Sequence, residues 1–262
     1  VAFPTETVYG LGANALDATA IDGIYRAKQR PASDPVIAHV HSIAQLERLA
    51  TDIPALAYQL AQAFMPGALT LVLNRAPDVP DNIATGRSTV AVRMPAHPVA
   101  AALIAAAGVP IAAPSANTFT RPSATTAAHV LEDLDGRIPL VLDAGRATIG
   151  LESTVLDLTF ATPTVLRPGG VMVAALREII PDVVVSPRFV DSNPAGEIAE
   201  TGSPGQMLKH YSPRAQVVLF SGEAVAVLAT MQRYADEGIR VGKHIGVLAF
   251  DEEATQFPDQ LH

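Results

Sequence analysis

The 262-residue sequence contains no cysteine, which excludes disulfide bridges, thiolate catalysis and cysteine-ligated zinc. Aromatic residues are only 5% of the chain, so platforms for stacking bases are few. No apolar run approaches the roughly 18 residues of a membrane span. The first residues also lack a charged segment ahead of an apolar core, so no secretory pattern is visible and a cytoplasmic protein is expected. There is no basic excess: the net charge of −8 splits into −4 for residues 1–160 and −4 for 161–262. An evenly acidic chain is a poor general binder of nucleic acid, so any such contact is expected to be weak or indirect. Low-complexity tracts, repeats and heptads are absent too. The chain starts without Met, already inside an apolar segment, and both ends of the natural protein are expected to extend further.

What is present is a core-forming composition. Hydrophobic residues make up 49%, enough for one large domain or two unequal ones, and 21 Pro and 18 Gly punctuate many loops. Periodicity predicts helices over Thr19 to Gln29 (capped by Asp17), Ile43 to Ala50, Ile53 to Phe64, His97 to Ala107 (closed by Gly108) and Thr125 to Leu134. Strands are predicted at Val1 to Phe3, Val36 to Val40, Leu69 to Leu73, Thr89 to Arg93, Val109 to Ala113, Leu140 to Leu142 and Thr154 to Leu158. Their alternation indicates a layered α/β domain over residues 1–185. Residues 186–213 are rich in Ser, Pro, Asn, Gly and Glu and read as a linker. Residues 214–262 carry one strand–helix–strand unit, Gln216 to Phe220, a helix to about Ala235, and Ile245 to Phe250.

Several short patterns have ordinary explanations when taken singly. Gly10-Leu-Gly12 resembles a dinucleotide fingerprint, but Pro4 and Thr5-Glu-Thr7 precede it where a buried strand is required, so it reads as a turn. Lys28 and Arg30 close a helix and compensate its dipole. Ser115 and Asn117 form turns, and His39 on a strand is more often structural. No metalloprotease, nucleophile-elbow or calcium-loop pattern occurs. Hydroxyls, an amide and closely spaced cations beside β-like stretches nevertheless suit a pocket for a small zwitterion and a phosphate chain.

Together the motifs are more specific. Thr5-Glu-Thr-Val-Tyr-Gly-Leu-Gly, Lys28-Gln-Arg-Pro, Ala91-Val-Arg-Met-Pro, Pro114-Ser-Ala-Asn, Glu152-Ser-Thr and Leu166-Arg-Pro-Gly occur in this order. In that order they resemble the YrdC-type threonylcarbamoyl-AMP synthase family. Ser203-Pro-Gly with Lys209-His-Tyr-Ser-Pro is similar to the linker of its long, two-domain form. The resemblance is dense over residues 1–215 and looser beyond. It implies a YrdC-like fold, a twisted mixed open sheet flanked by helices, followed by a linker and a small Rossmann-like βαβ C-terminal domain.

The resemblance also implies a nucleotidyltransferase activity, which makes threonylcarbamoyl-AMP and pyrophosphate from L-threonine, bicarbonate or carbon dioxide, and ATP. Magnesium would accompany ATP, and no protein side chain is singled out as a metal ligand. The product would pass to a tRNA threonylcarbamoyl transferase complex. By the family pattern Lys28 and Arg30 are catalytic cations, and Thr7, His39, Arg93 and Ser153 contact threonine. Arg30, Asp34, Thr89, Ser115, Asn117, Ser123, Arg167, His210 and Tyr211 contact ATP. Asp34 stands where relatives often carry Asn, and a carboxylate there favours magnesium or a ribose hydroxyl over phosphate. His210 and Tyr211 would lie in a linker that folds over the nucleotide. The alternatives are a non-catalytic RNA- or nucleotide-binding module, which needs the basic surface this chain lacks, and a nicotinamide oxidoreductase resting on Gly10 and Gly12 alone.

Overall fold

The computed structural model describes residues 1–186, 212, 213, 215–249 and 257. They divide into two units, Val1–Ser212 and Pro213–His262. The first unit opens with β1 (Ala2–Phe3) and β2 (Gly10–Leu11), an antiparallel pair, and β3 (Ala13–Asn14). Helix α1 (Ala18–Lys28) starts where the Asp17 carboxylate accepts the Thr19 and Ala20 N–H groups. It buries Ile21, Ile24 and Tyr25 and stops at Gln29, whose φ of 54° is left-handed. Next come β4 (Ile37–His39), α2 (Ile43–Leu49), β5 (Ala50–Thr51), α3 (Ala55–Phe64), β6 (Leu69–Arg75) and β7 (Thr89–Arg93). The unit continues with α4 (Pro98–Ala107), β8 (Ile111–Ala112), α5 (Ala127–Leu134), β9 (Thr154–Asp157), β10 (Thr164–Arg167), α6 (Val173–Arg177) and β11 (Val184–Val185).

Nine of these strands form one mixed sheet in the order β11-β10-β9-β6-β7-β4-β8-β3, with β5 flanking β6. Strand β6 lies at its centre because Leu69-Thr-Leu-Val-Leu is buried on both faces. Leu69, Leu71 and Leu73 join a large core shared with Ile21 and Ile24 of α1, Leu46 of α2, Leu60 of α3 and Val130 of α5. Val72 packs on the opposite face with Val155 and Leu166. A separate cluster seats α4 through Ala100 and Ile104 on Phe3, Ile111 and Ala113.

Gly12 is explained by this packing. A Cβ there would lie 2.7 Å from the Phe3 ring and 2.8 Å from Ile111, and the segment leads into β3 rather than directly into a helix. It is a close-packed turn and not a dinucleotide loop. The strand expected at Leu140 to Leu142 shortens to a single bridge between Ala2 and Val141. Two-residue β1 offers no further backbone to pair with, and Leu140 is half-exposed.

In the second unit the expected helix is α7 (Ala224–Arg240), capped by Glu223, with Phe220 meeting Tyr234 edge-on at 5.7 Å. The strands expected on either side of it are not paired among the described residues. Val217, Leu219 and Leu248 are 73%, 88% and 96% exposed. A parallel pair is stable when both of its faces are covered, and a single helix offers cover for only one. No helix among the described residues is long and apolar enough to cross a membrane.

Candidate active site

Strand register gathers the functional groups at one end of the sheet. His39 at the end of β4 lies beside Arg93 at the end of the parallel β7. Arg93 in turn pairs with Thr70 near the start of antiparallel β6. Strand β9 runs parallel to β6, so Ser153, one residue before it, comes to the Thr70 hydroxyl at 2.7 Å. Arg167 ends β10, antiparallel to β9, and donates through Nη2 to the Ser153 carbonyl (2.9 Å) and hydroxyl (3.2 Å). From this corner an open cleft crosses the face carrying Ile37 and His39 to reach Arg30, Pro114 and Ser115. Thr5 and the run Thr7 to Gly10 line it from the other side, and Glu152 completes the wall.

Arg93 is the most constrained of the cations. It is 4% exposed and donates to Glu6 Oε1 (2.5 Å), Thr7 Oγ1 (2.8 Å) and the Gly67 carbonyl (3.1 Å). Thr7 is held in turn by a local turn in which the Thr5 hydroxyl accepts the Thr7 and Val8 N–H groups. Burial lowers the pKa of Arg93, and Glu6 opposes that shift. The second Glu6 oxygen, Oε2, is buried and has no hydrogen-bond partner.

His39 is neutral in this setting. Burial, then the charge of Arg93, bring its pKa down to about 3. Its Nδ1 lies 3.3 Å from the Ile37 carbonyl, so the tautomer with the proton on Nδ1 leaves Nε2 as an acceptor. The unfolded chain takes up a proton near pH 6.5, whereas the folded site resists until about pH 3. His39 should therefore cost stability as pH falls through that window, by about 1.4 kcal/mol per pH unit, and have no effect above it. Urea unfolding at pH 7 and pH 4.5 should show this loss in the parent protein and not in His39→Gln. An equal loss in both would place the acid sensitivity elsewhere.

Arg30 leaves α1 just beyond the left-handed Gln29, which turns it away from Lys28. It donates to the Pro35 carbonyl at 2.7 Å and lies 2.8 Å from Asp34 Oδ2. The latter approach is an ion contact without hydrogen-bond alignment, because neither Asp34 oxygen has a hydrogen-bond partner. Asp34 is fully buried, and desolvation raises its pKa against the pull of Arg30 and Lys28.

The structure thus brings together Thr7, Arg30, His39, Arg93, Ser115, Ser153 and Arg167 around one cleft. Lys28, Asp34, Thr89, Asn117 and Ser123 do not line it. Lys28 differs most from its expected catalytic role. It is 1% exposed, and its Nζ donates to the carbonyls of Ser115 and Asn117, both at 2.5 Å. Burial, followed by the charge of Arg30, pushes its pKa well down. Its side chain fastens the Pro114-Ser-Ala-Asn loop to α1. Asn117 Nδ2 holds that loop further along, at the Thr118 and Arg121 carbonyls. Thr89 opens β7 opposite Asn74, at the strand end away from Arg93. Asp34 faces Arg30 from behind, and the Ser123 hydroxyl donates to Glu152 Oε1 at 2.5 Å. His210 and Tyr211 lie outside the described residues. Glu6 and Glu152 had no role assigned from sequence, although both stand inside motifs that did; an acid next to a motif hydroxyl was the available signal.

Three guanidiniums, a neutral imidazole and several hydroxyls at the end of a mixed open sheet define an α/β enzyme of small anionic and zwitterionic substrates. The comparisons narrow this class: the chain belongs to the Sua5/YciO/YrdC family. Residues 1–169 match that family, whose description reads "Telomere recombination", and residues 171–262 match "Threonylcarbamoyl-AMP synthase, C-terminal domain". The chain is 46% identical to the threonylcarbamoyl-AMP synthase of Pyrococcus abyssi over 249 residues, covering 95% of this chain and 72% of that protein. It is also 46% identical to the Bacillus subtilis synthase over 255 residues, with 97% and 71% covered. The crystal structure of P. abyssi Sua5 complexed with L-threonine superposes with a TM-score of 0.89 at 44% identity, over 95% of this chain and 73% of that one. Escherichia coli YciO, at 26% identity, shares the fold with a TM-score of 0.56 over 64% of this chain and 82% of its own.

Proposed function

We propose that the cleft joins L-threonine to ATP, so that the chain is a threonylcarbamoyl-AMP synthase. The observation that carries this reading is the corner of Arg93, Thr7, His39 and Ser153, built on a fold shared with a threonine-bound relative. Threonine's carboxylate would meet the Arg93 guanidinium, whose planar fork suits a carboxylate. Its hydroxyl would donate to the neutral His39 Nε2, an acceptor that a protonated imidazole could not supply.

Arg30 and Ser115 line the same cleft, and there they would meet the phosphate chain. The amine takes up bicarbonate or carbon dioxide to become a carbamate. A carbamate oxygen then attacks the α-phosphorus, the bond to the bridging oxygen breaks, and pyrophosphate leaves with that electron pair. Nucleophile and phosphates are both negative, so the barrier is largely electrostatic, and Arg30 and Arg167 oppose it with fixed positive charge. No protein nucleophile is required.

Magnesium would enter bound to ATP and neutralise phosphate charge. The cleft offers one carboxylate, and among the described residues no trio of acids or histidines could cage a cation. Bicarbonate as third substrate, a tRNA threonylcarbamoyl transferase as recipient and a cytoplasmic location complete the reading. Release of pyrophosphate from ATP that requires both threonine and bicarbonate is the expected result. Release indifferent to threonine would overturn the proposal, and no turnover with tight nucleotide binding would favour a non-catalytic module.

A further inference from the structure

A zwitterion needs a negative partner for its ammonium, and none of Thr7, His39, Arg93 and Ser153 supplies one. The charged groups of the cleft are the cations Arg30, Arg93 and Arg167 and one carboxylate, Glu152. We propose that Glu152 binds the α-ammonium of threonine and accepts its proton before carboxylation, an inference that rests on the function proposed above.

The other nearby acids do not line the cleft. Glu6 is paired with Arg93, and Asp34 faces Arg30 outside the cleft lining. Glu152, by contrast, lines the cleft beside Ser153 and is only partly buried. Its surroundings fix its position. The Ser123 hydroxyl donates to Oε1 at 2.5 Å, an interaction that restrains the carboxylate without engaging Oε2. The Glu152 carbonyl accepts the Gly170 N–H at 2.9 Å. A Cβ on Gly169 would sit 2.4 Å from that same carbonyl oxygen, so the Arg167-Pro-Gly-Gly turn is pressed against the Glu152 backbone. Just upstream, the N–H groups of Ile149 and Gly150 donate to the Glu6 and Thr7 carbonyls, at 2.8 and 3.0 Å. These bonds tie the wall bearing Glu152 to the segment that holds Arg93. An acid and a guanidinium fixed on connected walls of one cleft match the opposite charges of an amino acid.

The chemistry requires such an acceptor. An ammonium nitrogen has no free electron pair. When one N–H bond breaks, the proton passes to Glu152 and the pair stays on nitrogen. That pair attacks the carbon of carbon dioxide, an N–C bond forms, and one C=O π pair moves to oxygen. A second proton leaves nitrogen for water, giving the carbamate. Glu152 then returns its own proton to solvent, which restores the carboxylate for the next cycle.

The test is calorimetric binding of two ligands to the full chain: L-threonine, and the dihydroxy acid that replaces its ammonium with hydroxyl. The parent protein should prefer threonine by about 10- to 100-fold, the range of one hydrogen bond between charged groups. Glu152→Gln, similar in shape but uncharged, should bind the two acids within about threefold of each other, with the affinity for ATP changed no more than that. Glu152→Asp should keep a preference that Glu152→Asn loses, so the comparison survives if one pair folds poorly. Unaltered discrimination by Glu152→Gln would overturn the inference. So would equal weakening of both ligands, which marks a structural role. A change confined to the magnesium dependence of ATP binding would also overturn it, because the carboxylate would then serve the metal. Failure of the parent protein to bind threonine would instead contradict the proposed function itself.

Discussion

Arg93→Ala should lose measurable threonine binding and also unfold more easily than any other single change at the site. Two consequences of one deletion add up here. The ligand carboxylate would lose the guanidinium proposed for it, and breaking such a buried pair typically weakens binding by about 2–5 kcal/mol, or 30-fold to several thousandfold. Within the protein, Glu6 Oε1 loses a partner at 2.5 Å while Oε2 already has none, so a carboxylate remains buried and unpaired. That situation costs about 3–5 kcal/mol of stability. The double variant Arg93→Ala with Glu6→Gln removes the stranded charge, and it should recover most of the stability and none of the threonine binding. Urea unfolding together with calorimetry would separate the two effects. Threonine binding restored along with stability would mean that Arg93 acts only as scaffold.

Lys28→Met should be nearly as damaging, although Lys28 does not line the cleft. The change strands two buried carbonyls, Ser115 and Asn117, each worth about 1–3 kcal/mol when left without a donor. The loop that carries the Ser115 hydroxyl is then held to α1 more loosely, with the Phe119 N–H still donating to the carbonyl of residue 28 at 2.9 Å. Nucleotide affinity should fall at least tenfold, while threonine affinity, assigned to the Arg93 corner by the proposed function, changes less than threefold. Equal losses for both ligands would show that the loop and the corner form one cooperative unit.

Lys28 also marks the limit of what its sequence motif conveys. Lys28-Gln-Arg30 presents two cations two residues apart, and nothing in that spacing says that they point to different places. The left-handed Gln29 decides it: Lys28 stays on the helix face buried against the Pro114-Ser-Ala-Asn loop, and Arg30 is carried into the cleft. Elements with strong local signals were legible. Asp17 marked the start of α1, and Thr89 to Arg93 alternates cleanly and is β7 to the residue. Two-residue strands such as β3, β8 and β11 are shorter than any period and could not be read at their true length. Sheet order is a property of distant pairings. That β4 lies between β7 and β8, so that His39 meets Arg93, is written in no local pattern. Most cleft residues were therefore legible through motif order shared with a family, while Glu6 and Glu152 emerged only when their partners were in place. The C-terminal strands were anticipated from apolar runs that the described residues leave unpaired.

On the proposed function, a single cleft brings threonine, a one-carbon unit and the α-phosphate into one molecule. Incubating the full chain with labelled bicarbonate, threonine and ATP labelled at the α-phosphate, then separating the products by ion exchange, tests it directly. A single product carrying both labels, formed only with threonine present and absent with Arg93→Ala, is the predicted result. AMP free of the carbon label, released at the same rate without threonine, would contradict it.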